Sequence, residues 1–326
     1  GNGVFKGCTG LSSVTIPTSV TSIGESAFKG CTGLSAITIP GNVTSIGESA
    51  FKGCTGLSAI TIPNSVISVD KEAFSDCSNL TSVKIGKNLI SIGDNAFYNC
   101  ISLNSITLPK KLERIGNGAF GCSNYWSGNY CPITSIAIPG SVKTIGKQAF
   151  YGCRDLTLVS FEVDEDGEAN LTSIGDEAFR FCSLTSITIP NSVTTIGKAV
   201  FVDNKLTTAV LGDAVTEIKE ETFYNCHALA SVTIPDGVTS IGDRAFSGCY
   251  ALTSVRIPKS LTTMGENVFY GCGQLKSIDL PDTYTAVPAN LFKDNDFEYI
   301  KLGNGVKSIG KNSFGCELTD DETMVV

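Results

Sequence analysis

The chain has 326 residues, of which 42% are hydrophobic and 17% are charged, and its net charge is −8. No segment approaches the roughly 18 consecutive apolar residues of a membrane-spanning helix, so we expect no membrane insertion. Nine acidic residues lie in two segments that hold no Lys or Arg: Glu162, Asp164, Glu165, Asp166 and Glu168, and Glu317, Asp320, Asp321 and Glu322. The rest of the chain has 23 acidic and 24 basic residues. This near-neutral body lacks the basic surface that nucleic-acid binding requires.

The chain begins in the middle of a repeated unit. Gly1–Phe5 match the latter part of a segment that is complete from Leu11 to Gly33 and recurs almost unchanged from Leu34. A phenylalanine marks each unit, and most intervals are 22 or 23 residues, within the roughly 20–29 typical of leucine-rich repeats. These residues are Phe5, Phe28, Phe51, Phe74, Phe97, Phe120, Phe150, Phe179, Phe201, Phe223, Phe246, Phe269, Phe292 and Phe314. They predict about 14 coils of 22–23 residues, the first of them truncated, in a single solenoid over residues 1–318.

One unit is typical of one coil of a superhelix. After Leu34, apolar and polar residues alternate as in a strand with one buried face, and Pro40 ends that strand. A second short segment and one helical or 3₁₀ turn follow, with Val43, Ile46, Ala50, Phe51 and Cys54 expected to point inward. A single coil cannot bury these residues, but stacked coils form one core. We therefore predict a mainly β solenoid with a parallel concave sheet, and core positions for Phe28, Phe51 and Phe97.

The repeated pattern also carries a family resemblance. The consensus L-x-x-I-x-I-P-x-x-V-x-x-I-G-x-x-A-F-x-x-C resembles the BspA-like leucine-rich repeats of bacterial cell-surface proteins, over essentially all of residues 1–318. The resemblance implies a curved leucine-rich-repeat solenoid on the cell surface or secreted from the cell. Members are generally adhesins, which implies a binding role without naming a ligand. The family has no fixed binding motif that could be transferred to positions of this chain.

The first insertion, near residues 123–132, interrupts the regular pattern with aromatic residues. Tyr125, Trp126 and Tyr130 lie among Ser, Asn and Gly, a composition that resembles antibody loops. We predict that these three residues bind a ligand. The alternative is that the Trp126 ring folds back and covers a local cluster.

The second insertion, near residues 162–170, is acidic. Asp164, Asp166 and Glu168 alternate as calcium ligands often do, but the spacing of an EF-hand is absent. A solvated loop is therefore the main interpretation and a calcium site the alternative. We expect no other metal and no cofactor. His227, the only histidine, falls in a polar turn, where we expect it to be solvated.

The chain has 13 cysteines, and all except Cys131 follow a repeat phenylalanine by two or three residues, as Cys31 and Cys54 do. Asn204 and Asn295 occupy the same position in other units. Because Asn cannot form a disulfide, this exchange favours free, buried thiols, and an Asn there can hydrogen-bond the backbone of the turn. A disulfide between Cys122 and Cys131 is the alternative for the one cysteine outside the pattern.

The later coils carry the larger side chains of the expected concave face. Small hydroxyls dominate its outward positions, but Arg256, Asp279, Tyr299 and Lys301 replace them near the end. These four are the candidate ligand contacts of that face. Residues 319–326 are expected to form an acidic, solvated tail.

No catalytic constellation is present in the sequence. There is one histidine, and no G-x-S-x-G nucleophile motif occurs. We therefore predict a non-enzymatic, monomeric adhesin or host-interaction module that binds a host or matrix protein or a glycan. The alternative is a structural spacer that presents another domain.

Overall fold

A computed structural model describes residues 1–122 and 130–314. Within these ranges the chain is a parallel β-solenoid of about 12 turns. The predicted leucine-rich-repeat architecture is therefore confirmed. The expected count of 14 coils is too high, because Phe5 and Phe314 mark turns that are incomplete in the described residues.

The strands are short and occur twice in most turns. They are β1 (Ser22–Ile23), β2 (Ser45–Ile46), β3 (Ala59–Ile62), β4 (Ser68–Val69), β5 (Ser82–Ile85), β6 (Ser91–Ile92), β7 (Arg114–Ile115), β8 (Ser135–Ile138), β9 (Thr144–Ile145), β10 (Leu158–Phe161), β11 (Ser173–Ile174), β12 (Ser186–Thr188), β13 (Thr195–Ile196), β14 (Thr208–Val210), β15 (Glu217–Ile218), β16 (Ser231–Thr233), β17 (Ser240–Ile241), β18 (Ser254–Val255), β19 (Thr263–Met264), β20 (Ser277–Asp279), β21 (Ala286–Val287), β22 (Tyr299–Lys301) and β23 (Ser308–Ile309).

Equivalent strands of neighbouring turns pair in parallel and in register. The most continuous sheet is built from two-residue strands, in the order β1-β2-β4-β6-β7-β9-β11-β13. The strands of the other face, all but β18 of three or four residues, were expected to form one concave sheet and form separate sheets instead: β3-β5, β8-β10, β12-β14-β16-β18 and β20-β22. Two of the breaks, before β8 and after β10, fall at the two insertions. We call the face of these longer strands the long-strand face.

The expected helical or 3₁₀ turn is absent from the described residues, where hydrogen-bonded turns take its place. In the second coil, the backbone N–H groups of Ser26, Phe28 and Gly30 donate to carbonyls of the following coil at 2.7–2.8 Å. They are therefore unavailable for bonding within a helix. Ser26 also has a φ of 53°, a left-handed conformation that a right-handed helix cannot contain. The same position is left-handed in the other coils, which makes this a feature of the repeat.

The core is one continuous hydrophobic cluster along the solenoid. Phe28, Phe51 and Phe97 are at most 3% exposed, as predicted. Successive repeat phenylalanines stack with ring centroids 5.1–5.9 Å apart and interplanar angles of 15° or less. Near-parallel rings thus repeat at almost the spacing of the strands, which is about 4.8 Å. None of the described segments is a helix long and apolar enough to cross a membrane.

The described cysteines are free thiols, and all but Cys8 are buried. Nine of them donate to the carbonyl of the repeat phenylalanine in the preceding coil, and we call the column of positions two or three residues after each repeat phenylalanine the ladder. The Cys31 Sγ donates to Phe5 O at 3.0 Å, and the Cys54 Sγ to Phe28 O at 3.1 Å. Burial raises the pKa of the Cys54 thiol to about 12. The ladder cysteines are therefore structural, neutral hydrogen-bond donors.

The two asparagines of this ladder differ. Asn204 Nδ2 donates to Phe179 O at 2.8 Å and its Oδ1 accepts from Leu184 N at 3.0 Å, as predicted. For Asn295 the prediction is wrong, since neither side-chain amide atom has a partner among the described residues.

Cys131 does not form the alternative disulfide with Cys122, since both are free thiols. Cys131 is 1% exposed, although its sequence position suggested the inserted loop. Its thiol lies against that of Cys153, and its Sγ is 3.9 Å from Leu103 O. The reason is that the chain has already returned to the core at Cys131, ahead of the buried Ile133.

Candidate functional site

The acidic loop (residues 162–170) is held in shape by the carboxylate of Asp164. Its Oδ1 accepts from the backbone N–H groups of Asp166 and Glu168 at 3.0 Å each. Its Oδ2 accepts from Asn170 Nδ2 at 2.6 Å. These bonds, led by the one from Glu168, lower the pKa of Asp164. The loop is therefore an ordered structure that depends on one ionised side chain.

The loop is also anchored to the preceding coil at Gly140. Both the backbone N–H and the side-chain amide of Asn170 donate to Gly140 O at 2.9 Å. A Cβ at position 140 would lie 2.2 Å from Asp164 N and 2.4 Å from Val163 C. Only glycine therefore allows the loop to cross this coil so closely.

Beside the acidic loop lies an open groove of about 1500 Å³, which we call the central groove. One side carries Glu162, Asp164, Glu165 and Asp166, and the other side carries Lys84, Lys87, Lys110 and Lys111. We call these four lysines the lysine wall. The floor includes the apolar or small residues Leu108, Pro109, Pro139 and Gly140, and Val163 of the loop is 61% exposed. The groove thus combines apolar surface with two walls of opposite charge.

The charges of the two walls are not paired with each other. None of the ion pairs among the described residues includes a lysine of the lysine wall or one of the four facing acids. Of the four lysine side chains, only that of Lys111 has a hydrogen-bond partner among the described residues, Asn88 Oδ1, at 3.3 Å. The lysine wall and the carboxylates of Glu162, Glu165 and Asp166 are therefore open to groups of a ligand, whereas the Asp164 carboxylate is bonded within the loop.

Sequence reasoning missed the lysine wall. A signal was present, because Lys87 and Lys110 occupy the same turn position in successive coils, two and one coils before the Pro139–Gly140 turn. Aligning the coils by this turn would have placed them next to the acidic loop. The proximity of the lysines to the acidic loop is not evident from sequence order, since more than 50 residues separate Lys110 from Asp164.

The described carboxylates of the acidic loop are not arranged as the set of ligands that the calcium alternative requires. Both carboxylate oxygens of Asp164 are already engaged by the loop's own N–H groups. No group of three or more His, Cys, Asp or Glu side chains in the described residues is arranged to hold a metal ion. Asp166 and Glu168 contribute their backbone N–H groups to the loop, rather than forming a ring of oxygen ligands.

Of the predicted aromatic site, Tyr125 and Trp126 lie outside the described residues. Tyr130 is half-buried and lines a second, shallower pocket of about 390 Å³ together with Arg154, Phe181 and Lys205. No residue is shared between this pocket and the central groove. Tyr130 and the acidic loop therefore belong to separate surfaces.

The four predicted contacts of the later coils are exposed on the long-strand face. Asp279 and Lys301 are register partners on β20 and β22, and Tyr299, 56% exposed, is the partner of Ser277. Arg256 Nη1 instead forms an ion pair with Asp236 Oδ1 at 2.6 Å. Asp279, Tyr299 and Lys301 thus lie together on two paired strands. Arg256 is instead paired with Asp236 of the neighbouring turn.

Comparison with known proteins agrees with this architecture. The family model of the BspA type leucine rich repeat region matches residues 1–127, 127–251 and 194–319. A leucine-rich repeat protein from Bacteroides ovatus is similar, with 29% identity and a TM-score of 0.76 over 97% of this chain and 79% of that one. No curated protein matches.

Two further solved structures resemble the chain more distantly. A leucine-rich cell surface protein from Faecalibacterium prausnitzii is 22% identical, with a TM-score of 0.43 over 92% of this chain and 87% of that one. The pneumococcal vaccine antigen PcpA is 20% identical, with a TM-score of 0.45 over 93% of this chain and 84% of that one. The family match spans nearly the whole repeat array, and on that ground the chain belongs to the BspA-type leucine-rich repeat family.

Proposed function

We propose that this chain is a non-enzymatic binding module, displayed on a bacterial surface or secreted, that docks a partner protein in the central groove. The observation that supports this proposal is the groove itself. Its two walls have opposite charges that are not paired with each other, and its floor is apolar. An extended segment of a partner that carries both charges fits this arrangement. Its apolar side chains would cover Leu108 and Val163.

The two parts of the groove contribute differently to such binding. Exposed charges steer the encounter and affect the association rate more than the affinity. Apolar groups that become fully buried carry more of the affinity. The lysine wall and the acidic loop therefore select and orient the partner, and the exposed Val163 and the groove floor hold it.

A binding screen against immobilised extracellular-matrix proteins and glycans tests the proposal. For any protein that binds, the double variant Lys87→Glu/Lys110→Glu is expected to lower the association rate at least tenfold at low salt. Lys259→Glu is the matched control, since Lys259 is exposed at the same turn position several coils away. A Val163→Ser variant is expected to raise the dissociation rate.

Equal effects of Lys259→Glu and the double variant would show that overall charge, and not the groove, is responsible. Absence of saturable binding to every protein in the screen would overturn the proposal and favour the structural spacer. The same outcome would remove the expectation of a surface adhesin.

A further inference from the structure

A short aromatic stack lies on a turn surface of the later coils, away from the central groove. The rings of His227 and Tyr250 are parallel within 8°, with centroids 4.6 Å apart. His227 Nδ1 lies 2.9 Å from Gly248 O, and because a carbonyl only accepts, Nδ1 is the donor. The expectation that His227 is merely solvated is therefore incomplete, since its ring is fixed against Tyr250.

The two rings belong to a column of residues that each follow the ladder position of their coil. The column continues from His227 and Tyr250 to Gly273 and then to Asp296. A Cβ added at Gly273 would meet nothing within 4 Å, whereas one added at Gly271 would lie 3.4 Å from Tyr250 Cε1, so the next coil reaches one edge of the ring and leaves position 273 open. Tyr250 is accordingly 54% exposed, although one face of its ring is covered by His227.

The size of this opening suits one further planar group. Neighbouring coils rise by about 4.8 Å, the spacing of parallel strands. A guest ring could stack on the free face of Tyr250 in the way that His227 stacks on the other face. Such a ring would lie at the level of Gly273. The next residue of the column is Asp296, whose side chain is 92% exposed and paired with Lys276. The opening thus has an aromatic side and a polar side.

The polar groups around the opening favour an uncharged guest. Lys276 Nζ is 2.8 Å from Asp296 Oδ2, so a cationic guest would have to compete with Lys276 for this carboxylate. A hydrogen bond to the nearby Asp294 carboxylate raises the pKa of Tyr270, which keeps its hydroxyl protonated. An anionic guest would face both carboxylates. Hydroxyl groups, by contrast, can donate to the carboxylates and accept from Lys276.

We propose that the open face of Tyr250, above Gly273, binds a neutral pyranose ring of a glycan. The apolar face of the sugar would stack on the tyrosine, and its hydroxyls would bond Asp296 and Lys276. This is the usual combination of one apolar surface with a few placed polar groups. The site is separate from the central groove and does not depend on the proposed protein partner.

The lone histidine gives a direct measurement. The ¹⁵N-labelled chain is titrated with maltohexaose, cellohexaose, mannohexaose and a β-galactohexaose, and the imidazole signals of His227 are followed by NMR. We expect at least one of these sugars to shift them in a saturable manner, because His227 contacts the other face of Tyr250. Tyr250→Ala is expected to weaken the binding of that sugar, measured by calorimetry, at least tenfold.

The sharper variant is Gly273→Tyr, which fills the opening with a ring from the chain itself. Position 273 has no clash within 4 Å and no positive φ, so this variant should fold and keep its melting temperature. It is expected to lower sugar affinity at least tenfold. Thr32→Tyr places the same ring in the same column far from Tyr250 and should leave the affinity unchanged, as should Lys87→Glu/Lys110→Glu.

Three results would overturn the proposal. One is that no sugar in the panel shifts the His227 signals at tens of millimolar. Another is that Gly273→Tyr binds sugar as well as the parent chain. The third is that N-acetylarginine amide shifts the signals and the sugars do not, which would assign the opening to a guanidinium group of a partner protein.

Discussion

The first coils and the middle of the solenoid share one core but differ in surface. From Phe28 to Phe97, neighbouring repeat phenylalanines stack at 5.1–5.3 Å, and each interval between them is 23 residues. Across the two insertions, the steps from Phe120 to Phe150 and from Phe150 to Phe179 are 5.3 Å each. Up to eight extra residues therefore leave the stacking of the core unchanged.

The comparison shows how a repeat solenoid separates stability from recognition. The acidic loop begins after the end of strand β10, and the phenylalanine rings keep the same spacing across both insertions. The acidic loop then satisfies its own backbone groups through Asp164 and Asn170. Surface shape can thus change by one loop at a time, whereas the core is fixed by the contacts between neighbouring coils.

The largest effect is expected from breaking the core of the regular region. Phe97→Ala should cost about 3–5 kcal/mol of unfolding free energy, because it removes a buried ring and leaves a cavity between two stacked neighbours. Since stability couples adjacent coils, hydrogen exchange should accelerate mainly around Phe74 and Phe120. Uniform acceleration from end to end would contradict nearest-neighbour coupling.

A smaller effect, on binding alone, is expected from the first insertion. For a ligand that docks at the first insertion and not in the central groove, truncating Tyr125, Trp126 and Tyr130 together to Ala should weaken binding by at least about 2 kcal/mol, the scale of binding hot spots. The melting temperature should change little if these rings lie outside the core. Unchanged affinity, or a large drop in melting temperature, would show that the loop aromatics are a structural cap instead.

Thiol reactivity distinguishes core cysteines from loop cysteines. At pH 8 we expect rapid alkylation of the exposed Cys8 and slow alkylation of buried thiols such as Cys54, whose pKa is raised to about 12. Cys131 should react as slowly as the ladder cysteines despite its place beside the insertion. After denaturation all 13 cysteines should react, as counted by mass spectrometry. A disulfide between Cys122 and Cys131 would contradict this assignment.

The smallest and most local effect is expected in the acidic loop. Asp164→Ala should increase hydrogen exchange at the N–H groups of Asp166 and Glu168, which lose their acceptor, and leave the global melting temperature unchanged. Asp166→Ala is the control, because no described bond uses that side chain.

The loop should also depend on pH. Because the pKa of Asp164 is lowered below its ordinary 3.8, the loop bonds are fully present above that value. They are lost as the pH falls through the lower folded-state value. Exchange at Asp166 that does not change between pH 5 and pH 2.5, after correction for intrinsic rates, would show that the carboxylate does not hold the loop.

Much of the candidate site was hidden from sequence reasoning. The aromatic composition around Trp126 and the acidic run after Phe161 marked both insertions, because they break the repeat. The lysine wall and the opening above Gly273 were not found, since each depends on residues one turn or more apart. The same holds for the calcium alternative: spacing placed Asp164 among possible ligands, whereas in the folded loop both of its carboxylate oxygens accept hydrogen bonds from the loop itself.

The sequence by itself determined the solenoid, its repeat length and its core, because a period of 22–23 residues with fixed apolar positions allows one way of burying them. It also indicated that the ladder cysteines are free thiols, because Asn204 occupies the position that Cys has in most other units. Only the tertiary structure decided what lies next to what on the surface. It replaced the expected helical turns by left-handed turns, since their N–H groups bond the following coil. It also stacked the ring of Tyr250 on that of His227, next to the open position at Gly273. It placed the lysine wall beside the acidic loop. The physical reason is that stacking makes neighbours of residues about 23 positions apart, and each pair is fixed by contacts between coils that no single repeat contains.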